Sequence, residues 1–175
     1  MNKTQSILLI LTGPPGSGKT HIAEQFSKAN GYTHINSDSV RANYFPNPDF
    51  SLEERERVYA KIHEVITLAL TNGENVLFDG NLLTNADRLA ALKRYTSLGA
   101  RVLFVFLDVP RQKAIRQALL RQTSDDGLYN AMPKERAYRM HEIFEKPSSS
   151  LPQVVVKNTD NFSGVNRTIL NSLKR

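Results

Sequence analysis

A chain of 175 residues, 40% hydrophobic and 23% charged, has room for one ordinary globular domain. Its 23 Lys and Arg against 17 Asp and Glu leave a formal charge of +6, which favours anionic partners such as nucleotides or nucleic acid and equally serves solubility. The absence of cysteine excludes a disulfide scaffold, a cysteine zinc site and a thiol nucleophile, and fits a reducing compartment, so a cytoplasmic location is expected.

The apolar run Ser6 to Thr12 predicts a buried strand. It is too short to span a bilayer and meets Gly-Pro-Pro-Gly rather than a cleavage site, and no later stretch could span either, so no membrane partner is expected. A helix follows from Lys19 to about Ala29, with Ile22, Ala23 and Phe26 on one face and Gly31 at its end. Tyr32 to Asn36 is a second strand, and the proline-rich Asn43 to Phe50 a loop. Ser51-Leu-Glu-Glu has the spacing of a capping box, and Val58, Ile62, Val65, Ile66 and Ala69 recur at helical spacing as far as Asn72-Gly73. Asn75 to Asp79 is a third strand, Asn85 to Leu98 a helix stopped by Gly99, and Arg101 to Asp108 an almost continuously apolar strand, as an internal parallel strand should be. A basic helix from Arg111 to Arg121, a polar loop, a helix from about Pro133 to Glu145, a fifth strand from Gln153 and a last helix from Phe162 to Leu173 complete the chain. No repeat, long linker or second domain is visible, so one domain over residues 1–175 is expected.

Strands alternating with helices predict an α/β fold, a parallel sheet with helices on both faces. Ligands in such folds bind beyond the carboxyl ends of the strands. Gly13-Pro14-Pro15-Gly16-Ser17-Gly18-Lys19-Thr20 stands there, after the first strand, and matches G-x-x-x-x-G-K-[ST] in full. A glycine-rich turn of this kind aims backbone N–H groups at phosphate, and the following helix adds its positive end. Lys19 then reaches the outer phosphates and Thr20 ligates Mg²⁺, so ATP with Mg²⁺ is the expected cofactor pair. The Asn-Lys-x-Asp motif of GTPases has no counterpart; Asn158-Thr-Asp-Asn lacks the lysine. A small phosphotransferase remains.

On the acceptor side, Asp38 follows the second strand and is a candidate general base for a hydroxyl attacking the γ-phosphate. Ser37 or Asp38 would also suit a helix N-cap. Arg41, one helical turn on, is a candidate acceptor ligand. Asp79, at the end of the third strand, is a candidate Mg²⁺ ligand, acceptor ligand or helix cap, with Asn81 and Arg88 close behind as further acceptor candidates. The helix with Arg111, Lys113, Arg116 and Arg121 has no acid and precedes a polar loop, as a phosphate lid does. Arg121, beside that loop, is the lid candidate, while Arg111 and Lys113 suit a solvated face. The four histidines have no metal-ligand spacing and suit ordinary surface or core positions. Tyr44, Phe45 and Phe50 offer aromatics for stacking nucleic-acid bases, or simply buried surface.

These segments, in their order and spacing, resemble the P-loop kinases related to the kinase domain of phage polynucleotide kinase and to zeta-toxin-type kinases. The resemblance rests on GPPGSGKT, INSDSVR, FDGNLLTNADR, FLDVPRQKAIRQALLRQ and AMPKERAYRMHEIFEKP, over most of the chain from Ser6 to Pro147. It implies an adenylate-kinase-like five-stranded sheet of order 2-3-1-4-5, with a short helical lid over roughly 111–146. It implies Asp38 as general base, Arg41 on an acceptor phosphate, and Arg121 with Arg116 as lid arginines on the ATP phosphates. Asn158 to Asp160 are implied to lie near the adenine. No phosphatase domain is attached, and Ser37 and Ser39 stand where polynucleotide kinases tend to have a basic residue and a second acid. The acceptor expected is therefore a polynucleotide 5′-OH or the hydroxyl of a sugar, nucleotide or antibiotic. The competing class is a nucleotide-dependent switch that hydrolyses slowly and regulates a partner.

Overall fold

The computed structural model describes residues 5–45, 47–49, 51–120, 134–157 and 161–174. Five parallel strands form one sheet of order β2-β3-β1-β4-β5, the order expected: β1 is Ile7–Thr12, β2 Thr33–Asn36, β3 Val76–Asp79, β4 Arg101–Asp108 and β5 Gln153–Lys157. β1 lies at the centre, Leu8 beside Val76 on one side and Val102 on the other. It is buried on both faces because its side chains alternate between two cores. Leu8 and Ile10 point into one, with Val58, Ile62 and Ile66; Leu9 and Leu11 point into the other, with Phe26, Val165 and Ile169. Each such side chain contributes about 1.5–3 kcal/mol by leaving water.

The first core is covered by α3 (Leu52–Thr71) and α4 (Asn85–Ser97), the second by α1 (Lys19–Asn30) and α7 (Phe162–Leu173). α5 (Arg111–Leu120) and α6 (Lys134–Ile143) sit together beyond the carboxyl end of β4. The remaining helix, α2 (Ser37–Tyr44), begins directly at the end of β2. Its eight residues are too few to show an apolar period, and it carries the chain through Tyr44, two residues into the expected loop.

Two caps differ from the sequence reading. The N-cap of α2 is Asn36, whose Oδ1 accepts from the Asp38 and Ser39 N–H groups at 2.9 Å each; neither Ser37 nor Asp38 caps it. Ser51 caps α3 as expected, accepting from the Glu54 N–H at 3.0 Å. The reciprocal half of the capping box belongs elsewhere, because the Glu54 carboxylate is bound to the Arg41 guanidinium and the Asp49 N–H. Among the described residues no helix is long and apolar enough to cross a membrane.

Candidate active site

The loop from Gly13 to Thr20 joins β1 to α1 at the carboxyl edge of the sheet. Gly16 holds φ +79°, and a Cβ there would run into the Ala114 carbonyl and the Ala118 N–H of α5. A glycine is required on both counts: the left-handed backbone and the close passage of α5 over the loop. Pro14 and Pro15 have no N–H, so the donors for phosphate come from the residues after them. Lys19 is buried, its Nζ donating to the Gly13 carbonyl at 2.8 Å and the Pro14 carbonyl at 3.1 Å. The Pro15 carbonyl accepts from His141 Nε2 of α6 at 2.9 Å, which places a proton on that nitrogen. Burial pushes the His141 pKa down, against the pull of the Pro15 carbonyl.

From this loop a cavity of 620 Å³ extends between α1, α5 and α7, with Gly16, Gln25, Gln117, Val156 and Phe162 among its walls. Gln117 Oε1 is buried and has no hydrogen-bond partner there. The α5 wall is Gln117 and Leu120; Arg116 is exposed and faces a separate shallow groove with Tyr138. Arg121 and Asn158, expected at the phosphates and the adenine, lie outside the described residues.

Asp79 closes β3 beside the loop and is buried, with Oδ2 accepting from Asn36 Nδ2 at 2.8 Å. Burial alone would raise its pKa. The nearby His34, 3.9 Å away, the Lys19 charge, Thr20 and the Asn36 hydrogen bond outweigh that and hold it below the ordinary carboxylate value. The carboxylate is thus ionised, with the Thr20 hydroxyl as its neighbour. That oxygen pair fits Mg²⁺, which takes a few protein oxygens and completes its shell with phosphate and water. No group of three or more acidic or histidine residues among the described residues forms a separate metal site. The helix-cap reading of Asp79 does not hold, since α4 is capped by Thr84.

Asp38 lies within the field of Asp79, with about half its side-chain surface open (48%). The enclosing walls push its pKa up; Arg41 pulls it down, Asp79 pushes it up again, and Arg136 and Lys19 pull it down. Arg41 Nη1 is 3.6 Å from Asp38 Oδ1, and Arg41 Nε donates to the buried Glu54 Oε1 at 2.7 Å. Burial pushes the pKa of Arg136 of α6 down, as does the Arg41 charge, while Asp38 and Glu54 push it up.

The remaining acceptor candidates divide. Asn81 is half-buried just past β3, its carbonyl accepting from the Tyr59 hydroxyl at 3.0 Å. Arg88 is not at the cleft surface. It is wholly buried (0%) in α4, donating to the Leu83 carbonyl and Asn85 Oδ1 at 3.0 Å, with its guanidinium over the Phe144 ring. α4 turns it inward, where it ties β3's following loop to the segment after α6. Of the aromatics after Arg41, Phe45 packs against the core under Arg57, Tyr44 is exposed under Lys61, and Phe50 lies outside the described residues.

Four residues here escaped the sequence reading: Asn36, Glu54, Arg136 and His141. Asn36 was hidden among three capping-type residues in a row. His141 and His34, taken as ordinary, both touch the site, and only the fold brings them there.

Fold and loop define a P-loop NTPase with the 2-3-1-4-5 sheet. The chain belongs to the AAA domain family, which matches residues 8–147. No curated protein matches its sequence. Several solved structures are similar to it, three of which follow. The APS kinase of Mycobacterium tuberculosis, solved with AMPPNP and APS, has a TM-score of 0.73 and 20% identity over 98% of this chain and 99% of that one. A gluconokinase from Sinorhizobium meliloti 1021 has a TM-score of 0.66 and 23% identity over 100% and 94%. A chain of the Pnkp1/Rnl/Hen1 RNA repair complex has a TM-score of 0.64 and 25% identity, over 81% of this chain and 45% of that one. The likeness is therefore to P-loop kinases of several kinds, not to the polynucleotide and zeta-toxin kinases in particular.

Proposed function

We propose that the protein is an ATP-dependent kinase that transfers the γ-phosphate to a hydroxyl acceptor, with Asp38 as general base. The observation that carries this is the state of Asp38. It is released from helix capping by Asn36, it lies within the fields of Lys19 and Asp79, and its surroundings raise its affinity for a proton. A carboxylate so tuned takes the proton of a hydroxyl as the oxygen attacks the γ-phosphorus and ADP departs. A nucleotide switch has no use for such a group.

The other residues take roles around that step. Lys19 leaves the Gly13 and Pro14 carbonyls for the outer phosphates of ATP, while the N–H groups after Pro15 surround them. The nucleotide's adenine lies in the cavity between α1, α5 and α7. Thr20 and Asp79 would hold Mg²⁺, which supplies charge neutralisation on the phosphate oxygens. Arg121 serves as lid over the phosphates, the lid spanning roughly 111–146 of a single domain over residues 1–175, while Arg116 faces a separate groove and takes no part in it. Asn81 lines the acceptor side.

The acceptor is a polynucleotide 5′-OH or a small hydroxyl compound. The solved relatives support both, since one was bound to APS and another belongs to an RNA repair complex. Labelled γ-phosphate transfer to oligonucleotides, nucleosides, sugars and aminoglycosides identifies it. The decisive variant is Asp38→Asn, which keeps the shape and cannot take a proton at neutral pH. We expect transfer to fall by about 10²-fold or more while ATP affinity stays at the wild-type value. Undiminished transfer in that variant would remove Asp38 from the chemistry, whereas a wild-type protein that transfers phosphate to none of these acceptors would leave the switch reading standing.

A further inference from the structure

Resting on the kinase reading above, we infer that the groove between α3 and α4 holds the backbone of a single-stranded polynucleotide whose 5′-OH enters the cleft.

α3 and α4 cover the same core, and both lead from the carboxyl edge of the sheet toward its amino edge. Ala90 and Ala91 are too small to fill the space between them, and a groove of 610 Å³ remains. Arg55 and Asp87 stand at its upper end, 3.6 Å apart. Arg94 and Ser97 stand at its lower end, and Asp87 to Ser97 is about 15 Å along the helix. The upper end adjoins the acceptor side of the cleft. Arg55 follows Glu54, the partner of Arg41, and the Tyr59 hydroxyl donates from the groove wall to the Asn81 carbonyl at 3.0 Å. The groove thus opens where a strand would leave the cleft.

Three cations line it, Arg55, Lys93 and Arg94, against one acid, Asp87. Asp87 offsets Arg55. Lys93 and Arg94 are exposed, and among the described residues neither has an acidic partner. The charges are spread along the groove: Arg55 is level with Asp87, and Arg94 lies two turns further down α4, about 10 Å away. One small anion cannot engage both ends, whereas a chain with a charge on every link can.

Between the two ends lies His63. Its Nδ1 is 2.6 Å from the hydroxyl of the buried Tyr95. Burial raises the pKa of that phenol, which stays protonated and donates. Burial and the Arg94 charge lower the His63 pKa, so the ring is neutral and carries its own proton on Nε2. That N–H is a donor with no partner among the described residues. The half-buried rings of Tyr59 and His63 stand side by side in the wall, their centroids 6.4 Å apart. A positive groove with aromatic rings in its wall suits single strands of any sequence.

The test loads the full chain with Mg²⁺ and AMPPNP and measures binding of 5′-OH single-stranded oligonucleotides, labelled at the 3′ end, by fluorescence anisotropy. A twelve-mer should bind tenfold or more tighter than a dinucleotide. The double variant Lys93→Ala, Arg94→Ala should bring the twelve-mer down to the dinucleotide's affinity with the melting temperature unchanged. Its plot of log K against log salt should be shallower than wild type by about 1.4, the share of two phosphates on a single strand. Lys93→Arg with Arg94→Lys, which keeps both charges, should retain most of the advantage. Asp38→Asn should retain it in full while losing transfer, which reads the groove separately from the chemistry. Length-dependent binding without transfer by wild type would therefore sink the kinase reading and leave the groove as a strand site. Equal binding of the two oligonucleotides, no binding of either, or a length advantage that survives the double alanine variant would overturn the inference.

Discussion

The two banks of the cleft are built from different materials. The phosphate bank is backbone: a loop of consecutive residues, a glycine where α5 passes close, and a lysine bonded to the loop's own carbonyls. The acceptor bank is side chain: Asn36 from the end of β2, Asp38 and Arg41 from α2, Glu54 from α3 and Arg136 from α6. A backbone site is specified by neighbours in sequence and accepts any nucleotide phosphate. A side-chain site is specified by tertiary assembly, and its charges choose the acceptor. Within one fold the first is constant in kind while the second is free to vary.

That contrast breaks most sharply at Lys19. Its removal takes the one cation the phosphate bank supplies from within the loop, so Lys19→Ala should abolish transfer, on the order of 10³-fold or more in kcat/KM, and weaken ATP binding. Acceptor binding should be untouched. Unchanged turnover in a phosphotransfer assay would show that the loop is not the catalytic phosphate site.

Asn36 joins the banks and should give the next largest effect. One end of its amide holds Asp79, the other caps α2, the helix that carries Asp38 and Arg41. Asn36→Ala removes both, at a cost of about 1 kcal/mol for the cap. Asn36→Asp keeps the capping oxygen but sets a second carboxylate against Asp79. We expect kcat to fall by roughly tenfold in both, since the link to Asp79 is what they share in losing. If Asn36→Asp keeps the wild-type rate, the residue is a helix cap and nothing more.

The same division governs what was legible in the sequence. The alternation of apolar runs with helical spacing led to five parallel strands, because burial on both faces leaves an unmistakable run such as Arg101 to Asp108, while their order in the sheet was implied by the family resemblance. The phosphate loop was legible because eight contiguous residues build it. On the acceptor side, Asp38 and Arg41 could be named from their place after a strand, but Arg136 could not. It lies far along the chain and becomes relevant only through the docking of α6 on the loop. Arg88 misled for the converse reason. It is near Asn81 in sequence, and α4 carries it inward beneath Phe144, a contact that no local pattern announces. The helix after β2 was read from its capping residues alone, and its cap and its end were misplaced because a two-turn helix has no period to read.

The smallest expected effect is on stability, and it has opposite sign on the two banks. Asp79 has a pKa held below its ordinary value, so its ionised form is favoured by folding. That contribution is present above the ordinary carboxylate range and is lost as pH falls through it to the folded-state value. Asp79→Asn should therefore melt lower than wild type at neutral pH, by roughly 1–3 kcal/mol or a few degrees for a chain of this size. The deficit should shrink on acidification. Asp38 has a pKa raised mainly by burial, so folding favours its protonated form. Its contribution is fully present below the ordinary value and is lost as pH rises through the raised one. At neutral pH the ionised Asp38 is thus a small liability, and Asp38→Asn should melt at or slightly above the wild-type temperature. The gain should disappear near pH 4 and below, where wild type is protonated as well. Melting curves of the two variants against pH should therefore diverge at neutral pH, on opposite sides of wild type, and converge on it in acid. A lower melting temperature for Asp38→Asn at pH 7 would mean that Asp38 serves the fold, and the acceptor bank would lose its base.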